Sequence, residues 1–321
     1  MPIDSDPGPP DRARETPAGS DCPVSPERPA DLEVPASRDQ GGGPDIPDFR
    51  QRQLAEHVRY QRTVDASYQA HDARQAWEEA VPKLREAWEE HQQKYPERVR
   101  ASPRTQPDGA WAAEGGRHLT PEQNAEASKA CVDLRDEANQ VILPAMRRVE
   151  AASPDGCLAG LEHMLKGEDR LKEKIADVLL VEPGLTARQA AYKVPDAVRF
   201  TLTYSADRYT DGVLADVDGL KAEGLSLIKL KNLWAADQYK GVNTQWRNPD
   251  TGTRLEMQFH TPESLEAKEL THDAYERLRR PETETSQSER DDLEDFQHRV
   301  NSLLAVPPHV DAIKDFPEKK R

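Results

Sequence analysis

The sequence predicts an α/β (α+β) protein built on a mixed β-sheet of about five strands flanked by helices. Alternating segments rich in β-branched and aromatic residues occur between residues 197 and 260, as in half-buried strands. Segments with helical periodicity precede and follow them. Only 36% of the 321 residues are hydrophobic, and no run approaches the ~18–20 apolar residues of a membrane span. These observations favour a helix-flanked sheet with additional segments and argue against a membrane protein.

The charge balance limits the partners that we expect. Lys and Arg number 44 and Asp and Glu number 59, so the formal net charge is −15. Phosphate backbones repel an acidic chain, so bulk binding of nucleic acid is not expected, while a local basic cleft remains open. The first 30 residues hold no apolar stretch like that of a secretory signal, which predicts a cytoplasmic protein with no membrane partner.

The chain begins with a tail and a helical arm. Residues 1–48 are rich in Pro, Asp, Ser and Gly, a composition typical of disorder. Residues 49–95 have helical periodicity, and Pro82 predicts a kink or a split in that helix. One face of the arm is apolar, and we expect it to be buried rather than to bind a partner. That face consists of Trp77, Val81, Leu84 and Trp88.

Residues 119–281 form the predicted main domain, which follows a linker at 96–118 and begins with two helices. Thr120 and Gln123 fit a capping box, so we expect a helix from there to about residue 150. A second helix is predicted from about 158 to 180, where Glu182-Pro-Gly184 ends it.

Strands and helices alternate in the rest of the main domain. Four strands are predicted at 197–204, 225–231, 242–246 and 254–260. Helices are predicted at 207–223 and 262–280. Residues 282–321 form a C-terminal region with a last helix at about 291–304 and a charged tail.

Polar side chains collect on the predicted sheet. In the strand from Arg254 to His260, the alternation places Glu256, Gln258 and His260 on one face. A strand that merely faces solvent would show the same alternation, and this alternative stays open. Asp196 lies just before one predicted strand, and Glu256 lies on a neighbouring strand. These two carboxylates could hold Mg²⁺ against phosphates. The sequence therefore indicates a nucleotide site.

Five blocks in order resemble the synthetase domain of the RelA/SpoT family, whose members make (p)ppGpp. They extend over residues 155–280, and their residue pattern is most similar to that of the divergent small and toxin-like members of the family. The first blocks are Met164-Leu-Lys166 with Arg170 and Lys174, and then Asp196-Ala-Val-Arg199. The others are Tyr239-Lys-Gly-Val-Asn-Thr244, Glu256-Met-Gln-Phe-His-Thr261 and Thr271-His-Asp-Ala-Tyr275. The resemblance implies a nucleotidyltransferase-like synthetase fold.

The resemblance also implies roles on the catalytic and donor side. Asp196 resembles the family's Mg²⁺ ligand, and Glu256 resembles the second acidic residue, which helps to hold Mg²⁺ and takes the proton of the attacking 3′-hydroxyl. Lys166, Arg170, Lys174 and Arg199 resemble contacts to the phosphates of the donor ATP. Met164 departs from the family, which has Arg at that position. Arg170, on the same predicted helix, is expected to supply the missing positive charge.

On the acceptor side, Tyr239 resembles the aromatic residue that stacks on the acceptor base. Lys229 or Lys231 would hold the acceptor phosphates. Lys240, Asn243, Gln258 and His260 complete that side, where Asn243 and His260 replace the family's His and Arg. These replacements leave open whether the acceptor carries guanine or adenine, or is the 3′ end of a tRNA.

The activity that this resemblance implies is a nucleotide 3′-pyrophosphokinase that needs Mg²⁺. It would transfer the β,γ-diphosphate of ATP to a purine nucleotide such as GDP, GTP, ADP or ATP, and would give (p)ppGpp- or (p)ppApp-like alarmones. It could serve as a growth-inhibiting toxin, with an immunity protein or a second copy of the chain as partner. The alternatives are a catalytically weak nucleotide-binding or interaction module and a tRNA 3′-end pyrophosphokinase.

Overall fold

A computed structural model describes residues 47–97, 102–153, 155–280 and 284–317, with side chains from residue 71 onward. Residues 1–46, and with them nearly all of the predicted tail, lie outside the described residues. Eight α-helices are found in the described part of the chain. They are α1 (Pro47–Lys94), α2 (Pro121–Glu137), α3 (Leu143–Ala152), α4 (Glu168–Val181), α5 (Ala187–Lys193), α6 (Tyr209–Ala222), α7 (Pro262–Leu278) and α8 (Gln287–Ser302).

The described residues also form eight strands in two sheets. The strands are β1 (Arg104–Thr105), β2 (Trp111–Ala112), β3 (His118–Leu119), β4 (Cys157–Ala159), β5 (Val198–Thr203), β6 (Ser226–Asn232), β7 (Val242–Arg247) and β8 (Arg254–His260). The main sheet has the order β4-β5-β8-β7-β6. Only β5 and β8 pair in parallel, and the other three pairs are antiparallel. This mixed five-stranded sheet confirms the predicted fold class.

One face of the main sheet is apolar and carries the largest core. Phe200, Trp246, Met257 and Phe259 point to that face and are almost completely buried. They pack with residues of α3 and α6, such as Met146. Period-two alternation explains this placement, because the other face of the same strands receives the polar residues. The core therefore fixes which side chains the polar face presents.

The predicted linker at 96–118 contains strands from residue 104 onward. Strands β1, β2 and β3 form a small antiparallel sheet between residues 104 and 119. Trp111 is fully buried in a second core with residues of α2, α4 and α5, and its indole donates to Asp169 Oδ1 at 3.0 Å. Strands of two residues are too short to show a period, and so the sequence pattern missed them.

The predicted helix from 158 to 180 begins ten residues late. Residues 157–159 form β4, which pairs antiparallel with β5, and α4 starts only at Glu168. The apolar residues before Gly167 are used in sheet pairing, a non-local contact that overrides the local preference. The helix expected to run to residue 150 does so as α2 and α3, joined by a π-helical turn at Ala138–Ile142, and its predicted capping box at Thr120 and Gln123 is present.

The arm is one helix, α1, with Pro82 inside it, so of the predicted kink or split the split does not occur. Its apolar face is buried as predicted, since Trp77 is 2% exposed and Trp88 is 7% exposed. They pack against α7 and α8, where Trp88 stacks on Phe296 with ring centroids 5.1 Å apart. Among the described residues, no helix is both long and apolar enough to cross a bilayer.

Candidate active site

The polar face of the main sheet gathers six of the thirteen predicted site residues in two cross-strand rows. The first row runs from β6 through β7 and β8 to β5, and the second lies one pleat further along the same strands. The rows are Lys229–Gln245–Glu256–Arg199 and Lys231–Asn243–Gln258–Thr201. Directly opposed side chains lie about 4.5–5.5 Å apart at Cβ, so each row is a continuous line of polar groups.

The alternative of a merely solvent-facing strand does not hold for β8. Gln258 is 4% exposed and His260 is fully buried, because α7 covers this end of the polar face. Glu256 is partly exposed, with 17% of its side-chain area accessible. The face is therefore a cleft that is closed over His260 and open around Glu256.

Asp196 lies at the start of β5, beside an extended segment that precedes α4. Leu165 bridges to Val198, and the Lys166 N–H donates to the Ala197 carbonyl at 3.0 Å. This pairing brings the Lys166 ammonium to 2.9 Å from Asp196 Oδ2. Lys166 is thus held by a strand-like segment and not by the helix that the sequence predicted.

Several cations act on Asp196. Burial by itself would raise the pKa of this carboxyl, but the hydrogen bond from Lys166 and the charges of Lys166, Lys174 and Arg199 outweigh it and lower the pKa. Asp196 is therefore ionised at neutral pH. The surplus of cations around one carboxylate is what a site for phosphate groups requires.

Arg199 and Glu256 face each other across the parallel β5–β8 pair. The Arg199 Nε lies 3.2 Å from Glu256 Oε2. The same Nε is buried and makes no well-aligned hydrogen bond. The contact is a close ion pair in which the N–H does not point well at the carboxylate oxygen. Arg199 links the two carboxylates, since it acts on Asp196 and contacts Glu256.

Tyr239 is fixed through its hydroxyl group. The hydroxyl donates to Asn243 Oδ1 at 2.8 Å and lies 2.9 Å from His260 Nε2. His260 Nδ1 lies 2.9 Å from the Ser264 hydroxyl at the start of α7. All three contacts are satisfied when Nε2 of a neutral His260 carries the proton and donates to Tyr239 and Nδ1 accepts from Ser264.

Burial keeps both rings of this chain uncharged. It raises the pKa of Tyr239 well above its usual range, and the negative charge of Glu256 adds to the effect. Burial also lowers the pKa of His260 well below its usual range, and the Lys268 ammonium adds to that effect. The Tyr239–His260–Ser264 chain is therefore a neutral hydrogen-bonded support at physiological pH.

Gly241 lies directly against the His260 side chain. A Cβ at this position would lie 2.8 Å from His260 Cε1 and 3.0 Å from the Phe259 carbonyl oxygen. Contacts that short are forbidden, so the glycine allows His260 to pack directly against the Tyr239 loop.

Two of the predicted site cations, Arg170 and Lys240, contact groups other than Asp196 and Glu256. Arg170 lies on α4 with 65% of its side chain exposed and pairs with Glu173 at 3.1 Å. Because Met164 precedes α4, the two residues do not share a helix as the sequence suggested. The Lys240 ammonium donates to the Trp234 carbonyl at 2.9 Å, so it supports the loop before β7.

Lys268 on α7 is a residue of this cleft that the sequence analysis did not assign. Its ammonium donates to Gln258 Oε1 at 2.7 Å. Burial first, and then the charge of Arg199, lower its pKa to about 8, while Glu256 acts in the opposite direction. The available signal was its spacing of four from Ser264, which places both residues on one face of α7.

The donor set fits a Mg²⁺ ion that is bound together with nucleotide phosphates. Asp196 and Glu256 supply hard carboxylate oxygens, and both are partly accessible. No group of three or more His, Cys, Asp or Glu side chains suited to a metal occurs in the described part of the chain. An ion at this site would therefore take its remaining ligands from phosphate oxygens and water, as Mg²⁺ commonly does.

Comparisons with known proteins give matches to solved structures only. No protein-family model matches the sequence, and no curated protein does. A GTP pyrophosphokinase family protein from Streptococcus pneumoniae is 16% identical, covers 57% of this chain and 85% of its own, and has a TM-score of 0.33. The small alarmone synthetase 1 from Bacillus subtilis is 13% identical, covers 56% and 88%, and also has a TM-score of 0.33.

Two further matches have similar values. The protein smu.1046c from Streptococcus mutans UA159 is 15% identical, covers 56% of this chain and 88% of its own, and has a TM-score of 0.35. The Bacillus subtilis synthetase bound to its product pppGpp is 12% identical, covers 55% and 87%, and has a TM-score of 0.32. Three of the four are described as the class of protein that the sequence motifs resemble. At such identities and TM-scores, these likenesses carry no inference about the activity of this chain.

Proposed function

We propose that this protein is a nucleotide 3′-pyrophosphokinase that transfers the β,γ-diphosphate of ATP to the 3′-hydroxyl of a purine nucleotide. The observation that carries the proposal is the Asp196–Arg199–Glu256 cluster. Two carboxylates are linked by one arginine and flanked by further cations at the open end of a cleft. Phosphoryl transfer requires this inventory, because its catalysis consists mainly of positioning and charge stabilisation.

In the proposed reaction, the 3′-oxygen of the acceptor attacks the β-phosphorus of ATP. A bond forms between that oxygen and the β-phosphorus, and the bond from the β-phosphorus to the oxygen bridging to the α-phosphorus breaks. AMP leaves with the bridging oxygen, and the hydroxyl proton passes to the Glu256 carboxylate. Glu256 suits this role because its carboxylate lies beside Arg199 and remains partly accessible.

The donor phosphates would lie against Lys166, Lys174 and Arg199, with Arg170 near the entrance. Mg²⁺ held by Asp196 and Glu256 would neutralise part of the phosphate charge. The acceptor would lie toward Tyr239, with Lys229 and Lys231 for its phosphates. Fixing the Tyr239 hydroxyl holds the aromatic ring in one orientation, which favours binding of a planar base.

A tRNA 3′ end is a second candidate acceptor, and one observation favours it. Arg247 and Arg254 face each other across β7 and β8 and extend the polar face beyond Lys229 and Glu256. Within the described residues, neither arginine has an ion pair. A basic strip of this kind next to the cleft offers contacts to phosphodiesters despite the net charge of −15.

An acceptor assay tests the proposal and separates these substrates. The purified full chain would be incubated with γ-labelled ATP, Mg²⁺ and, in separate tubes, GDP, GTP, ADP, AMP or bulk tRNA. We expect a labelled 3′-diphosphorylated product together with stoichiometric AMP in at least one nucleotide tube. Product in the tRNA tube alone would replace the nucleotide by tRNA as acceptor. Absence of product in every tube, from protein that is folded and binds ATP, would contradict the proposal and favour a nucleotide-binding module.

A further inference from the structure

Lys268 occupies an unusual place for a lysine. It lies on the side of α7 that faces the sheet, one helical turn after Ser264, whose hydroxyl contacts His260. Its ammonium donates a short hydrogen bond to the amide oxygen of Gln258, which is itself 4% exposed. Both ends of this contact are therefore held inside the cleft, between α7 and β8.

The ammonium of Lys268 bonds to an uncharged group. Among the described residues no acidic oxygen lies within ion-pair distance of it, and its one polar contact is a neutral amide. The Lys268 side chain is partly buried, and withdrawing a cation from water without a counter-charge is unfavourable, so such groups are uncommon unless a ligand completes them. The desolvation shows in the pKa of Lys268, which burial lowers to about 8.

The surrounding charges leave this part of the cleft positive. Arg199 acts on Lys268 as a like charge, and Glu256 acts on it as an opposite charge. Glu256 is already paired with Arg199 at 3.2 Å. Glu269, the next residue of α7, also acts on Lys268 but belongs to the exposed side of the helix. Two cations therefore converge on one carboxylate, and an anionic group is needed for balance.

We propose that Lys268 and Arg199 together form a subsite for a diphosphate group, in which Gln258 positions the lysine. This inference rests on the proposed function and adds to it a residue on α7 that would contact the group being transferred. Lys268 would balance negative charge on the non-bridging oxygens of that group. No bond to Lys268 forms or breaks.

Inorganic pyrophosphate is the probe that tests this subsite. Its binding to the full chain would be measured by titration calorimetry for wild type, Lys268→Met, Lys268→Arg and the control Lys83→Met. Lys83 is an exposed residue of α1 that makes no side-chain hydrogen bond or ion pair with the described part of the chain. We expect Lys268→Met to weaken binding roughly ten- to a hundredfold, the usual effect of losing a charge-assisted hydrogen bond. Lys268→Arg should recover most of the affinity, and Lys83→Met should match wild type.

Steady-state kinetics supply a second readout. Lys268→Met should lower kcat for transfer and leave the KM of the acceptor almost unchanged, because the subsite acts on the transferred group. Unchanged pyrophosphate binding in a Lys268→Met protein with a native melting profile would overturn the inference. If that variant does not fold, wild-type affinity in Lys268→Gln would overturn it equally.

The two proposals fail in distinguishable ways. Loss of pyrophosphate binding in Lys268→Met, together with a wild-type protein that transfers diphosphate to none of the acceptors, would support the subsite and contradict the proposed function. Full transferase activity in Lys268→Met, together with unchanged pyrophosphate binding, would support the proposed function and overturn the subsite.

Discussion

His260 shows how a single side chain supports the proposed acceptor site. It is fully buried and connects Ser264 on α7 to the hydroxyl of Tyr239, with Gly241 leaving the space that its ring occupies. The sequence predicted the face of β8 on which His260 lies, because alternation alone fixes that face. Its burial could not be predicted, because it depends on where α7 crosses the sheet.

The buried neutral His260 makes stability depend on pH. Its pKa is depressed in the folded state, so the unfolded chain binds a proton that the folded chain does not as pH falls below about 6.5. Stability should therefore fall on acidification, with a contribution of up to about 1.4 kcal/mol per pH unit from this group. Urea unfolding of wild type and His260→Gln at pH 7.5 and 5.5 would measure it.

The variant serves as the comparison, because other groups, including His91, titrate in both proteins. We expect the loss of stability between the two pH values to be smaller in His260→Gln than in wild type. An equal loss in both proteins would show that His260 is not held in its neutral form by the fold.

At the level of elements, one side of α7 faces the cleft and another side packs against α1. One side carries Ser264 and Lys268 into the cleft. The adjacent side packs Ala267 and Ala274 against the apolar face of α1. The indole of Trp77 donates to Glu266 Oε2 on α7 at 2.9 Å, which strengthens this contact. The arm is therefore part of the support of the cleft, a relation that its own periodicity did not show.

Removing a large side chain from the arm should destabilise this support. Trp88 is 7% exposed, stacks on Phe296 and lies beneath the Arg277 guanidinium at 5.6 Å from its ring centroid. Trp88→Ala should lower the free energy of unfolding by about 3–5 kcal/mol, as is usual for buried tryptophan. Urea unfolding would measure it, with Glu86→Ala, an exposed change on the same helix, as control.

Hydrogen exchange would locate the effect. We expect amides of α1 and α8 to lose protection in Trp88→Ala, while those of β5 and β8 retain it. A loss of less than about 1 kcal/mol, within the range of surface changes, would mean that the arm is not docked as described.

The elements also show where sequence reasoning succeeds. The four long strands and the helices α2, α6, α7 and α8 were predicted because their periods extend over many residues. Strand β4 and the small sheet were missed, because two or three residues carry no period and pair only through distant partners. The position of Lys166 was misjudged for the same reason, since its segment pairs with β5.

For the whole molecule, the net charge is −15, but the cleft is rich in cations. The cations Lys166, Lys174, Arg199 and Lys268 surround two carboxylates at the polar face of the main sheet. The residue types and their order were readable from the sequence, and strand register then brings them together. The divisions at 119–281 and 282–321 remain predictions, as do the disordered tail and any oligomer or immunity partner.

The central claim is that Glu256, beside Asp196 and Arg199, performs the proton transfer of a diphosphate-transfer reaction. The most direct measurement is the rate of 3′-diphosphate formation by Glu256→Gln, with ATP binding and thermal unfolding recorded on the same protein and Glu294→Gln, an exposed change on α8, as control. Glu256→Gln should bind ATP and unfold like wild type but lose about a hundredfold or more in rate, the usual scale for a general base. A Glu256→Gln protein that turns over at the wild-type rate would contradict the account.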